Sequence, residues 1–367
     1  MMLHYFPPLA VSYLFEAYYD CRKNKRNKAA SLAFEQDLEA NLMKLYWELR
    51  GQTWRPSPAT VFVITHPKPR EVWAANFRDR IVHHLVYRAI GPLFEKSFIH
   101  DSCACIKGRG ALYGAQRMSM HLRSATQNWT KKAFVLKADV ANFFGSIRQD
   151  LLFDMLQHRV QDEFLLYLLE QLVFQDVRAG AIIRGDPRHL AAVPPHKSLF
   201  RAQPGVGLPI GNLSSQFFAN VYLDSLDQMV KRRLGMRRYV RYVDDFVLVH
   251  ESSSALTEAA DVIREHLAGL GMQLAERKTS IFPADRGLDF VGHVIRPHRA
   301  SGRAKTHRHA IRMLEEAPGE RLWQTCNSYL GLFRHAGSRK QSASICQAAL
   351  RRGLSVDSNL TKSFKPC

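Results

Sequence analysis

Several features that would assign a class at once are scarce or missing, and each shortage excludes something. Six cysteines stand at Cys21, Cys103, Cys105, Cys326, Cys346 and Cys367. Only Cys103 and Cys105 lie close together, and no second pair follows at metal-ligand spacing, which excludes a zinc ribbon or finger. Reduced structural thiols in a cytoplasmic protein are the expectation. No apolar run is long enough to cross a bilayer, so no membrane partner is expected. The apolar stretch Leu9 to Phe15 follows Pro7-Pro8, lacks basic residues ahead of it and runs into Glu16, which is not the pattern of a secretory leader. Internal repeats are absent. Gly108-Arg109-Gly110 has neither the strand context nor the spacing of a nucleotide-binding glycine loop. His83-His84, on an apolar helical stretch, reads as packed or surface-exposed and not metal-bound. Acidic residues are also in deficit: 33 Asp and Glu face 52 Lys and Arg, a formal charge of +19. Such an excess favours a polyanionic partner, because neutralising phosphates releases condensed counterions. With 46% hydrophobic residues over 367 positions, the chain can bury a sizeable core, which excludes a disordered or fibrous protein.

Apolar spacing orders the chain. Phe34, Leu38, Leu42, Leu45 and Leu49 share one helical face, with Ser31 as a cap and Gly51 as a stop. Thr60 to Thr65 reads as a strand leading into the basic, proline-stiffened loop Pro67-Lys68-Pro69-Arg70. Asp79 to Phe94 is helical in pattern. Phe134 to Asp139 is a short buried strand ending in a carboxylate, and Leu151 to Phe174 follows as a long apolar helix region. Residues 178–207 are rich in Pro, Gly, Arg and His and read as a long surface loop or insertion. Ser214 to Met229 returns to a helical pattern, Tyr239 to His250 forms two strands around a carboxylate turn, and Phe290 to Ile295 is another strand. The remainder alternates basic and apolar residues as helices do, with breaks at Pro318-Gly319, Gly337 and Gly353. This order of helices and strands predicts an α+β enzyme with an antiparallel sheet at its centre.

Two segments carry chemistry. In Tyr239-Val240-Arg241-Tyr242-Val243-Asp244-Asp245-Phe246-Val247-Leu248-Val249, apolar strand halves flank adjacent carboxylates, and a tight connection leaves both at the sheet's end. An Asp pair in a turn is ordinary by itself, since Asp is a preferred turn residue. Asp139, however, ends a second apolar strand. Clustered carboxylates are unfavourable without a cation, and hard oxygen ligands suit Mg2+, which fills its octahedron with phosphates and water. Two such ions about 4 Å apart activate a primer 3′-hydroxyl and stabilise a pyrophosphate leaving group. That is polymerase chemistry.

The chain resembles a reverse transcriptase over most of its length. Tyr242-Val243-Asp244-Asp245 is similar to that family's Tyr-x-Asp-Asp motif, and Asp139-Val140-Ala141-Asn142-Phe143-Phe144 to its first catalytic motif. The resemblance implies a right-hand polymerase fold with fingers, palm and helical thumb. It implies metal ligation by Asp139, Val140, Asp244 and Asp245, with Mg2+ as the ion and Mn2+ as a substitute. It implies Phe144 as a steric gate against a ribose 2′-hydroxyl, and Lys68 and Arg70 as holders of the incoming deoxynucleoside triphosphate. Lys278, in Glu276-Arg277-Lys278-Thr279, resembles a general acid that protonates the departing pyrophosphate. Leu288 to Ile295 resembles a primer-grip hairpin. The basic tail, with His307 and His309 in it, resembles a thumb that tracks a duplex by backbone shape.

In Leu208-Pro209-Ile210-Gly211-Asn212-Leu213-Ser214-Ser215-Gln216, Ile210 and Gln216 replace the Gln and Pro that many reverse transcriptases carry beside the nascent pair. That pattern, with Asn220 and the tail segment Tyr329 to Ala336, resembles the reverse transcriptases of diversity-generating retroelements. The insertion before Gly207 departs from compact members, so a related antiphage-defence reverse transcriptase with a non-coding RNA is the alternative. A non-catalytic RNA-binding or maturation factor is a rival that intact Asp139, Asp244 and Asp245 oppose, because a pure binder gains nothing from packing repelling carboxylates together. Phe144 opposes an RNA-dependent RNA polymerase. The expected divisions are a helical extension over 1–58, fingers and palm over 59–296 and a basic thumb over 297–367. Expected partners are a structured template RNA, the RNA-DNA hybrid, and a small basic accessory protein or a second copy of the chain.

Overall fold

Three helices open the chain, α1 (Val11–Arg22), α2 (Ala29–Glu35) and α3 (Leu38–Arg50), followed by strands β1 (Thr60–Ile64) and β2 (Arg70–Ala74) and helices α4 (Phe77–Glu95) and α5 (Ala111–Ala125). Next come β3 (Phe134–Asp139), the single turn α6 (Phe143–Ser146), α7 (Gln149–Gln157), α8 (Glu163–Val173), β4 (Ile182–Ile183), α9 (Pro187–Ala191) and α10 (Leu213–Gln228). The hairpin β5 (Tyr239–Tyr242) and β6 (Asp245–His250) leads to α11 (Ser253–Gly269), β7 (Ser280–Pro283), β8 (Leu288–Phe290), β9 (His293–Arg296) and β10 (Arg299–Gly302). Helices α12 (Ala304–Glu316), α13 (Gly319–His335) and α14 (Arg339–Arg351) and the short strands β11 (Ser355–Val356) and β12 (Ser363–Phe364) end it. The computed structural model describes residues 9–23, 25–66 and 68–365, so Pro7-Pro8, Pro67 and Cys367 lie outside the described residues.

The mixed α+β class expected from the sequence is observed, with a four-stranded sheet in the order β5-β6-β3-β7. Strand β3 has the bounds read from its apolar run, and the breaks at Pro318-Gly319, Gly337 and Gly353 separate α12, α13 and α14 as expected. Elsewhere the spacing misleads. The single helix through Phe34 and Leu49 is two, broken at Asp37 (φ −137°, ψ 57°), and Ser31 is not its cap. Ser31 is buried inside α2, where its hydroxyl donates to Glu35 Oε1 at 2.8 Å. The long helix expected over Leu151 to Phe174 is likewise α7 and α8, because Asp162 accepts from Leu165 N at 3.0 Å and starts a new helix. The strand expected over Phe290 to Ile295 is a hairpin: Val291 (φ 44°) and Gly292 (φ 88°) form a two-residue turn with both φ positive, so Phe290 pairs with His293. Residues 178–207 are less formless than expected, since Ile182 and Ile183 pair in parallel with Thr60 and Val61.

Two compact units divide the chain. The first takes residues 1–100, 139–233 and 262–275, the second residues 101–138, 234–261 and 276–367. In the first, α4 packs between α1 and α10, and Val61 and Trp73 of the β1-β2 hairpin form a small core with Ala59 and Val177. His83 of α4 is buried against Ser214 of α10 at 2.6 Å, and burial pulls its pKa down to about 3, so it is a neutral packed residue as expected. In the second unit, α5 lies on the four-stranded sheet around Met118, Leu122, Val135, Val240 and Val247. Helices α12, α13 and α14 enclose a separate core of Leu314, Leu330, Phe333 and Ile345. The tail strand β12 is clipped to α13 by Ser363, whose carbonyl accepts from Trp323 and Asn327 and whose N–H donates to Asn327 Oδ1.

Candidate active site

Asp244 and Asp245 share one tight turn. Tyr242 pairs with Asp245, which leaves a two-residue loop of Val243 and Asp244 at the end of an apolar hairpin whose strands carry buried Tyr239, Val240, Phe246, Val247 and Leu248. The loop is strained: Val243 has φ 58°, a conformation that a β-branched side chain rarely adopts. Both carboxyl-bearing residues are partly exposed at the turn. Burial pushes the neighbouring Tyr242 phenol above its ordinary pKa, with nearby Cys105 adding to the shift, so it stays neutral. Strand β6, which Asp245 opens, is the sheet neighbour of β3, which Asp139 ends. Lys278 is exposed in the helical turn Glu276–Lys278, immediately before β7.

Beyond β3 the chain is fixed by its backbone. Asp139 O accepts from Ala275 N and Ala141 N donates to Gln273 O, each at 2.8 Å. These bonds flank Val140, which bridges Leu274 as a non-bonded pair, so the carbonyl of Val140 itself points to the opposite edge. A backbone oxygen beside a carboxylate is a suitable donor for a hard cation. Among the described residues, no three His, Cys, Asp or Glu side chains form a ready-made metal cluster. Mg2+ does not need one, because it binds through one or two carboxylates together with substrate phosphate and water.

Asn142 adopts the left-handed conformation (φ 45°, ψ 41°) and turns the chain into α6, which buries Phe143 and leaves Phe144 half-exposed. The next segment is stapled to a distant one: Phe144 O accepts from Leu208 N and Ile147 O from Gly207 N, both at 2.8 Å, and Gln149 N donates to Gly205 O at 2.9 Å. That distant segment then reaches β2. Ile210 O accepts from Trp73 N at 2.7 Å, and Asn212 Oδ1 accepts from Ala75 N at 3.1 Å. Phe144, Ile210 and the strand begun by Arg70 are thus tied into one arrangement within the first unit. Lys68 and Arg70 are exposed at the hairpin, Ile210 is half-buried, and Gln216 is exposed on the first turn of α10.

Some supporting residues carry no signal in spacing. Asn142 and Asn212 act through backbone conformation and a single amide acceptor, which no periodicity marks. Arg241 could have been noticed as a lone charge inside an apolar strand, and it is 1% exposed.

Residues 66–295 match the family model described as reverse transcriptase (RNA-dependent DNA polymerase). The chain belongs to the reverse transcriptase family. It is 26% identical to Protein YkfC of Escherichia coli (strain K12) over 308 residues, which is 74% of this chain and 73% of that protein. Among solved structures it is similar to telomerase from Candida albicans in complex with a fragment of telomeric RNA (TM-score 0.48, 14% identity, 83% of this chain) and to apo telomerase from Candida tropicalis (TM-score 0.48, 12% identity, 72% of this chain). It spans 56% and 60% of those two chains. No helix among the described residues is long and apolar enough to cross a membrane.

Proposed function

We propose that the protein is an RNA-directed DNA polymerase that adds deoxynucleotides to a primer on a structured RNA template. The observation that carries this reading is the strained Val243-Asp244 turn on an apolar hairpin, in a chain whose residues 66–295 match the reverse transcriptase family. Asp139, Val140, Asp244 and Asp245 are the residues that would hold Mg2+, or Mn2+ in its place. Such ions, when bound, lower the pKa of the primer 3′-hydroxyl and neutralise charge on the leaving pyrophosphate. The chain's own groups do the rest. Lys68 and Arg70 bind the triphosphate, Phe144 obstructs a 2′-hydroxyl, Ile210 and Gln216 shape the pocket beside the nascent pair, and Lys278 delivers a proton to the leaving group. The divisions 1–58, 59–296 and 297–367 correspond in this reading to an extension, fingers with palm, and a thumb. Primer extension on a defined RNA with deoxynucleotides and Mg2+ tests it, and absence of product with a folded protein counts against it.

The finer reading is error-prone cDNA synthesis in a diversity-generating retroelement, supported by Ile210, whose apolar side chain gives the nascent pair shape but no hydrogen bond. A lost polar contact of roughly 1–2 kcal/mol relaxes discrimination by about tenfold. Sequencing cDNA made by the wild type and by Ile210→Gln should show frequent errors, concentrated opposite template adenines, falling on substitution. Uniformly low error in the wild type moves the weight to an antiphage-defence reverse transcriptase. A non-coding RNA is a partner in either role, and a small basic accessory protein or a second copy of the chain in the first.

A further inference from the structure

We infer that Arg241 is a positioning residue for Asp244, holding the Val243-Asp244 peptide in one orientation from beneath the turn. The inference rests on the reading of Asp244 as a metal-binding residue given above. Its basis is a conformational problem and the group placed to solve it. In the two-residue loop between Tyr242 and Asp245, Val243 has φ 58°, while Asp244 is not among the residues with positive φ. That sign pattern belongs to a type II′ turn, in which the first central position is normally glycine. A valine there is strained, and strained positions persist only where their surroundings over-determine them. In a turn of this kind the alternative is a flip of the central peptide, which moves the second central residue. Here that residue is Asp244.

Arg241 blocks the flip. Its Nη1 donates to Val243 O at 2.9 Å, across the turn from its own strand position. Because a trans peptide carries its C=O and N–H on opposite sides, anchoring the Val243 carbonyl also fixes the direction of the Asp244 N–H and the start of the Asp244 side chain. The guanidinium is itself immobilised. Arg241 as a whole is 1% exposed, and its Nη2 donates to Ser102 Oγ at 3.2 Å. Its backbone is tied on both sides: Arg241 N donates to Asp101 O, and Cys103 N donates to Arg241 O, each at 2.9 Å. The segment that makes those bonds with Arg241 is secured in turn through the Asp101 carboxylate, which accepts from Arg117 Nε at 2.6 Å and faces His121 Nε2 at 3.2 Å. All of these residues lie within one compact unit, so the brace moves with the hairpin. A buried arginine is an unusual choice for a sheet residue whose only duty is packing, since an apolar side chain would fill the space without desolvating a charge.

Single-nucleotide addition by Arg241→Met, Val243→Gly and the double variant tests this, with Asp244→Asn as reference and thermal melting to report folding. Losing the guanidinium, and with it the bond that anchors Val243 O, should lower turnover by about tenfold or more and raise the Mg2+ concentration for half-maximal rate, with the KM for nucleotide little changed. Val243→Gly removes the strain, so it should restore most of the lost rate in the Arg241→Met background. A structural role alone predicts no such rescue. Wild-type turnover in Arg241→Met, or a slow double variant, overturns the inference. If Arg241→Met does not fold, Ser102→Ala removes one anchor of the guanidinium and should give a smaller loss, again relieved by Val243→Gly; an unchanged rate there overturns it too. Synthesis that survives Asp244→Asn removes the underlying assignment of Asp244 instead.

Discussion

Replacing Gly211 with alanine should both destabilise the first unit and weaken nucleotide use. Gly211 has φ 130°, and a Cβ built on it would lie 2.9 Å from Trp73 O and 2.9 Å from Val72 Cγ1. The backbone oxygen cannot yield without disturbing β2, where Trp73 N bonds Ile210 O at 2.7 Å. Backbone strain contributes roughly 1–2 kcal/mol, and overpacking against a fixed neighbour roughly 1–3 kcal/mol. A total of about 2–5 kcal/mol corresponds to a fall in Tm of about 4–20 °C for a unit of this size. Gly205→Ala separates the two contributions, because Gly205 also has positive φ (73°) but nothing within 4 Å of its would-be Cβ. It should lose only the strain part. Melting curves for both variants, with the nucleotide concentration for half-maximal extension, make the comparison. A Gly211→Ala protein that melts no lower than Gly205→Ala, with unchanged nucleotide dependence, refutes the close approach of these two segments.

Other outcomes follow from the same geometry. Phe144→Ala should raise ribonucleotide relative to deoxynucleotide incorporation, measured as the ratio of the two efficiencies, and an unchanged ratio makes Phe144 a packing residue. Acid should release the clip between α1 and α2. Hydrogen bonding by Arg22 holds the Glu35 pKa down at about 2, so the clip stabilises the fold above the ordinary carboxylate range and is lost as pH falls from about 5 towards 2. Melting of the wild type should therefore fall more steeply than that of Glu35→Gln over that interval; parallel curves contradict the assignment.

What could be read from sequence follows a physical division. Apolar runs bounded by turn residues mark β3, β5 and β6 well, because burial alone dictates them, and the carboxylates at their ends are legible as candidates for that reason. Helix lengths are poorly legible where an acidic residue restarts the helix, as Asp162 does between α7 and α8, since an apolar face continues through the break. Helix α1, with buried Leu14, Ala17, Tyr18 and Cys21, falls in the helical extension expected over 1–58, but its bounds are not legible in the apolar stretch Leu9 to Phe15. The backbone tie from Phe144 through Leu208 and Ile210 to Trp73 could not be read, because main-chain hydrogen bonds between distant segments leave no residue-type signature. Arg241 carries a single signal in the sequence, a charge inside an apolar strand.

The central claim is that Asp139 and Asp244 hold the ions for DNA synthesis on RNA. Its most direct test is Mg2+-dependent primer extension by Asp139→Asn and Asp244→Asn, each assayed in parallel for RNA binding. Neutralising either carboxylate should abolish extension while RNA binding stays near the wild-type level, because the change removes ion affinity without emptying the core. Full extension by either variant would contradict the account.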